Sequence, residues 1–188
     1  MDRSKRYTFL AGSVAILAGA LVVSGCNNKP AHPDEKTAVD NALSTNNLSA
    51  VSVSEDQHKG VITLTGDVAS ADQKSQAEAL TRQAAPDYTV ANEIGVRPAG
   101  AESQAKAVNS NLDNAIEDNF KASLKAHKQL DEQSIDYSAK NGTLVLKGSV
   151  KTSAQKEEAD KLAKEVPNVQ QVVNEIEVKP GKHSSARS

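Results

Sequence analysis

The sequence has no tryptophan, one cysteine and one methionine, and aromatic residues make up 3% of its 188 positions. Without large aromatic anchors a core has to be assembled from Val, Ile, Leu and Ala, and a small domain built that way is only modestly stable. A single cysteine excludes an internal disulfide. Charge of one sign is also missing: 22 basic residues stand against 24 acidic ones, a formal net charge of −2. That excludes the strongly basic footprint of a nucleic-acid-binding domain. The four histidines, His32, His58, His127 and His183, share no spacing, whereas a metal site needs ligands that converge at fixed distances. They read as surface residues, and no metal is expected. With no nucleophile elbow and no concentrated set of acids and bases, the sequence points to no catalytic residue and to a protein that is not an enzyme.

Long apolar runs are scarce as well. The one present, from about Phe9 to Val23, follows the net-positive leader Asp2-Arg3-Ser4-Lys5-Arg6 and ends in Leu21-Val22-Val23-Ser24-Gly25-Cys26. It is shorter than the roughly 18 to 20 residues that span a bilayer, and small residues precede the cysteine, so residues 1–25 read as a signal peptide. Val23-Ser24-Gly25-Cys26 is similar to the bacterial lipobox. On that reading Cys26 becomes the first residue and carries a diacylglycerol and an N-acyl chain, the only non-protein groups expected. An ordinary secretory signal that discards Cys26 is the alternative. Two or three acyl chains, at about 0.8 kcal/mol per buried methylene, hold a protein stably on a membrane. Asn27 stands where Asp would resemble an inner-membrane retention signal, which favours the outer membrane, on its periplasmic face. Residues 26–34 then form a lipidated tether, which at about 3.3 Å per residue keeps the folded part within about 25 Å of the acyl chains.

What the chain does have is an internal repeat. Gly60-Val61-Ile62-Thr63-Leu64-Thr65-Gly66-Asp67-Val68 lies over Gly142-Thr143-Leu144-Val145-Leu146-Lys147-Gly148-Ser149-Val150, and Val90, Asn92, Glu93, Ile94, Val96 and Pro98 recur as Val172, Asn174, Glu175, Ile176, Val178 and Pro180, at one offset of 82 residues. An ungapped offset across the whole unit is expected of a duplicated structural unit. Each copy opens with a helix: Val108, Leu112, Ala115, Ile116 and Phe120 recur at three- and four-residue steps, and Ala38, Val39, Ala42 and Leu43 form a shorter version. Two alternating strands follow, Val51/Val53 with Ile62/Leu64, and Ile135/Tyr137 with Leu144/Leu146. They are joined by turns at His58-Lys59-Gly60 and Lys140-Asn141-Gly142, where glycine supplies positive φ. Ser70 with Gln73, and Thr152 with Gln155, announce a second helix through capping boxes. Its buried stripe is Ala77, Leu80 and Ala84, or Ala159, Leu162, Ala163 and Val166, and Pro86 or Pro167 ends it. A last strand carries Val90, Ile94 and Val96, or Val172, Ile176 and Val178.

The expected architecture is therefore α+β: two tandem αββαβ domains, residues 35–98 and 105–180, each a three-stranded mixed sheet covered on one face by two helices. Residues 99–104 read as a linker, and residues 181–188 as a disordered tail. On the surface, Lys121, Lys125 and Lys128 fall at i, i+4 and i+7, one stripe on the first helix of copy two. Such a stripe can hold the phosphates of an anionic lipid headgroup, at about 1 kcal/mol per charge. The same spacing also suits an ordinary solvated helix face.

The segment Gly60 to Val68, the helix with Ala77, and Val90-Ala91-Asn92-Glu93-Ile94-Gly95-Val96 resemble the BON domain (bacterial OsmY and nodulation). The second copy is closer still, in Val166-Pro167-Asn168-Val169-Gln170-Gln171-Val172-Val173-Asn174-Glu175-Ile176-Glu177-Val178. The resemblance implies a non-catalytic envelope protein that binds phospholipid or a membrane-protein partner and supports envelope integrity under stress; a chaperone-like adaptor that docks envelope proteins is the alternative. It also implies that the recurrent glycines, Gly60, Gly66, Gly142 and Gly148, are structural, and that in two-copy lipoproteins an anionic-lipid surface belongs to the second copy.

Overall fold

A computed structural model describes residues 31–179. The expected signal peptide, Cys26, His183, Pro180 and the tail lie outside the described residues. Copy one runs α1 (Lys36–Thr45), β1 (Val51–Asp56), β2 (Val61–Val68), α2 (Ala71–Ala84), β3 (Thr89–Asn92) and β4 (Gly95–Val96). Copy two runs α3 (Glu102–Ala126), α4 (Lys128–Asp131), β5 (Ser134–Lys140), β6 (Thr143–Val150), α5 (Ser153–Glu165), β7 (Gln171–Asn174) and β8 (Glu177–Val178). In each, an antiparallel hairpin supplies two strands, and the return through the second helix lays the last strand parallel to the middle one. β3 and β4 keep one register along β2, Val61 opposite Thr89 and Val68 opposite Val96, so they are one strand interrupted at Glu93 and Ile94. The sheet is three-stranded and mixed in both copies.

The interruption has a local cause. Asn92 accepts the Ile94 amide on its side-chain oxygen at 3.3 Å and donates to the Lys74 carbonyl at 3.1 Å. Asn174 does the same with Ile176 and Lys156, both at 3.1 Å. The kink drops Ile94 and Ile176 into the cores, where both are fully buried. Burying each such side chain contributes about 1.5 to 3 kcal/mol. Around them pack Val39, Leu43, Ile62, Leu64 and Ala77 in copy one, and Phe120, Leu124, Leu144, Leu146 and Leu162 in copy two. Phe120 meets Tyr137 edge-on at 5.2 Å.

Several expectations need correction. The 82-residue offset holds from β2 onward, but Val51 pairs with Gly66 whereas Ile135 pairs with Gly148, so the first strands correspond at 84 residues. The reason is the hairpin. Copy two turns in two left-handed residues, Asn141 at φ 48° and Gly142 at φ 83°, whereas copy one spends four residues, 57–60, between Asp56 and Val61. The first helices also differ: α3 has 25 residues and α1 has 10. The buried stripe of α3 starts only at Ile116. Val108 and Leu112, expected inside, are 55% and 39% exposed, because they precede the part of the helix that covers the copy-two sheet. Ala38 of copy one is likewise exposed.

The linker shortens, since α3 already begins at Glu102, whose carboxylate takes the Gly100 amide at 2.9 Å. Of the two capping boxes, that of Thr152 and Gln155 is complete. In copy one the Gln73 side chain takes the Ala69 amide instead of that of Ser70. The end of the expected tether is not free: the His32 ring lies 5.1 Å from that of Tyr88, and the Pro33 carbonyl accepts the Tyr88 hydroxyl at 2.5 Å.

Candidate functional surfaces

The lysine stripe is the first candidate. Lys121 and Lys125 are exposed on the last turns of α3. They border a shallow cleft of about 190 Å³ floored by Leu124, Leu130 and Tyr137. The helix stops at Ala126 and the chain turns at His127 (φ −110°, ψ 84°). Lys128 therefore opens α4 and borders a different cleft, of about 720 Å³, with His127, Thr152 and Glu158. The three-lysine stripe reduces to a pair plus a separate lysine. Among the described residues none of the three has an acidic partner within ion-pair distance. At about 100° per residue, Lys121 and Lys125 flank the buried stripe of α3 on one side, and Val108 and Leu112 flank it on the other.

The glycines occupy strand and turn positions. Gly66 (φ 110°) and Gly148 (φ 104°) hold the left-handed side of the map in mid-strand. A Cβ on either would land on a backbone oxygen, that of Ala50 or of Ser134. Both L-chirality and the close strand approach demand glycine there. Gly60 lies under the His32 ring, and Gly142 closes the copy-two turn against Gln170. Of the described histidines, His32 packs on Tyr88, His58 is exposed in its turn, and His127 places Nδ1 2.8 Å from the Ser123 carbonyl. Among the described residues no three His, Cys, Asp or Glu side chains gather.

The second candidate is the seam between the copies, which the sequence did not single out. The helix-free faces of the two sheets meet through Val61, Ala91, Val145 and Val173, all buried. Around this cluster the contacts are reciprocal. Lys59, from the turn of copy one, pairs with Glu175 at 2.7 Å, and Lys140, beside the turn of copy two, pairs with Glu93 at 3.2 Å. The hydrogen bond it donates to Glu175 holds the Lys59 ammonium above its ordinary pKa. The repeated Asn-Glu pair thus divides its work: the Asn kinks its own strand, and the Glu reaches the other copy.

Other seam contacts are not reciprocal. The Gln171 amide accepts the Asn92 N–H and donates to the Val90 carbonyl, both at 2.8 Å, as a neighbouring strand would. The Thr143 hydroxyl donates to the Asn92 carbonyl at 2.6 Å, and the Asn141 amide to the Glu93 carbonyl at 2.8 Å. Lys74 donates to the Asn141 carbonyl at 2.8 Å. It lines a polar cleft of about 500 Å³ between α2, α3 and the copy-two turn, where burial lowers its pKa. The copy-two turn is itself tied to α3, because Asp113 accepts the amides of Asn141 and Gly142 at 2.8 and 3.0 Å.

A three-stranded mixed sheet under two helices is built twice and joined across its open faces, a tandem repeat of one small α+β unit. The chain belongs to the BON domain family, whose model matches residues 36–98 and 112–180. Proteins of that family are generally non-catalytic binding modules, associated with phospholipid and membrane binding or with stress. No curated protein matches the chain. It is similar to a solved structure of CdsD, a structural protein of the type III secretion system of Chlamydia trachomatis, at 12% identity over 78% of this chain and 92% of that one, with a TM-score of 0.34. A second structure, the C-terminal domain of the same protein, gives 16% identity over 76% of this chain and 63% of that one, with a TM-score of 0.27.

Proposed function

We propose that the protein is an envelope lipoprotein, acylated at Cys26 and held on the periplasmic face of the outer membrane, whose second copy engages anionic phospholipid headgroups and supports envelope integrity. The observation that carries this reading is the asymmetry of the first helices. Only copy two has a 25-residue helix, with Lys121 and Lys125 exposed beside an open cleft and without acidic partners among the described residues. An acyl anchor at Cys26 would raise the effective concentration of headgroups at this helix, so weak contacts suffice.

The test is sedimentation of the chain from Asn27 onward with phosphatidylglycerol vesicles, against phosphatidylcholine vesicles. Binding is expected on the first alone at low salt, with loss at high salt. Replacing Lys121 and Lys125 with Gln removes two charges at about 1 kcal/mol each, a weakening of about thirty-fold. Equal sedimentation with both lipids, or no change on substitution, defeats the assignment to this helix.

A further inference from the structure

The two copies share one groove, and only in copy one is the strand edge beside it closed. Beside the last strand of copy two, α5 and β7–β8 enclose a groove of about 360 Å³ lined by Ser153, Lys156, Glu157, Asp160, Asn174 and Val178. Every one of these has its counterpart, 82 residues earlier, lining the cleft of copy one. In copy one the strand edge beside that groove is closed by the other copy, through Gln171, Thr143 and Asn141, which also wall the cleft.

The reciprocal positions on copy one cannot do the same for copy two. Thr89 stands where Gln171 does and is too short to bridge two backbone groups, and Val61 stands where Thr143 does and has no hydroxyl. Lys59 lies at the position of Asn141 and is committed to Glu175. Val172 and Asn174 occupy the counterpart positions of Val90 and Asn92, whose backbone groups point away from the middle strand. β7 is bonded to β6 through Gln171 and its alternate residues, so the groups of Val172 and Asn174 face outward. Among the described residues nothing hydrogen-bonds to them. On the helix-free side of this edge a second groove, of about 480 Å³, runs between the copies past His58, Lys59, Thr89 and Val173.

We propose that the β7–β8 edge is a docking site for an extended segment of a partner polypeptide, which adds as a further strand beside residues 171–178. An unpaired strand edge offers alternating donors and acceptors, and grooves on its two faces receive alternate side chains of an added strand. The occupant is a polypeptide main chain because the same edge in copy one is closed by an amide group that accepts and donates one backbone bond each. The helix-side groove takes polar side chains, between Lys156 and the carboxylates of Glu157 and Asp160. The seam-side groove offers the exposed His58 ring and the exposed Thr89 side chain. This site stands independently of the headgroup-binding helix.

The experiment uses the mature chain with Cys26→Ser and a phage-displayed library of random heptapeptides. Selected peptides are expected to slow hydrogen exchange of the Val172 and Asn174 amides. Thr89→Gln places on copy one the amide that Gln171 supplies on copy two, and Val178→Pro removes an outward N–H from the edge; each is expected to weaken peptide binding about tenfold or more. Thr89 is exposed, so Thr89→Gln keeps the test valid should Val178→Pro disturb the fold. The proposal is overturned if no peptide is enriched, if both variants bind the peptides as the parent does, or if those amides become protected by dimerisation of the chain.

Discussion

Copy one and copy two bury closely similar cores under the same two-helix cover, yet they differ at every border. Copy one begins with a short helix, turns its hairpin in four residues and has its last strand sealed by its neighbour. Copy two begins with a long helix, turns in two residues and leaves its last strand open. Duplication kept what the core needs, namely the apolar positions, the kinking Asn and the mid-strand glycine. Divergence fell on the surfaces that face something other than the copy's own core. The borders of copy two are therefore where binding should be sought.

The largest expected effect tests how far the copies are alike. Gly66→Ala and Gly148→Ala each force a side chain into the left-handed region and onto a carbonyl at the start of the hairpin, that of Ala50 or of Ser134, and each is expected to cost about 3 kcal/mol. Urea unfolding followed by circular dichroism measures both. Matching losses confirm that the hairpins are equivalent despite their shifted register; a tolerated Ala in either copy breaks the equivalence.

A smaller effect tests how the copies differ. Gln171→Ala leaves the Asn92 N–H and the Val90 carbonyl facing the seam without their partner, at a cost of about 1 to 3 kcal/mol. Thr89→Ala, at the reciprocal position, is expected to change stability by less than about 0.5 kcal/mol. The same unfolding measurement decides, and equal costs would show that the seam is symmetric after all.

The repeat made most of this fold legible. Strand order, helix order, the cap at Thr152 and the close approach at Gly66 and Gly148 follow from residue patterns that recur, because a duplicated core constrains both copies alike. What recurrence could not show is how the copies meet. Gln171 and Thr143 act at the seam because Thr89 and Val61 differ from them, so comparing the copies made those positions look unremarkable. The Asn-Glu pair was visible as a repeat, but each Glu pairs with a lysine of the other copy, far away in sequence and beyond any local pattern. The lysine stripe lost one member for the opposite reason. A spacing of i, i+4, i+7 assumes an unbroken helix, and the end of α3 at Ala126 takes Lys128 off it.

The smallest expected effect concerns the two first helices and the glutamates that fix them. In copy one Glu55, on the strand, accepts the backbone amides of Glu35 and Lys36 at the start of α1, both at 3.1 Å, and the Tyr88 hydroxyl as well. In copy two its counterpart is Ala139, whose amide donates to Glu117 on the helix at 2.8 Å, so the carboxylate has changed sides. Burial pushes the Glu55 carboxyl up, but the Tyr88 hydroxyl and the two backbone donors outweigh it and hold the group below the ordinary carboxylate range. Tyr88 is pushed up, by burial first and then by Glu55. A carboxyl lowered in the folded state stabilises fully above its unfolded pKa, and that contribution is lost as pH falls through the folded value. Acidification is therefore expected to loosen the start of copy one, seen at the Tyr88 ring resonances, and to leave those of Tyr137 without that step. Glu55→Ala removes the cap at neutral pH for about 1 kcal/mol and abolishes the Tyr88 step. A step that survives the substitution would place the titrating group elsewhere and leave α1 anchored by its apolar face alone.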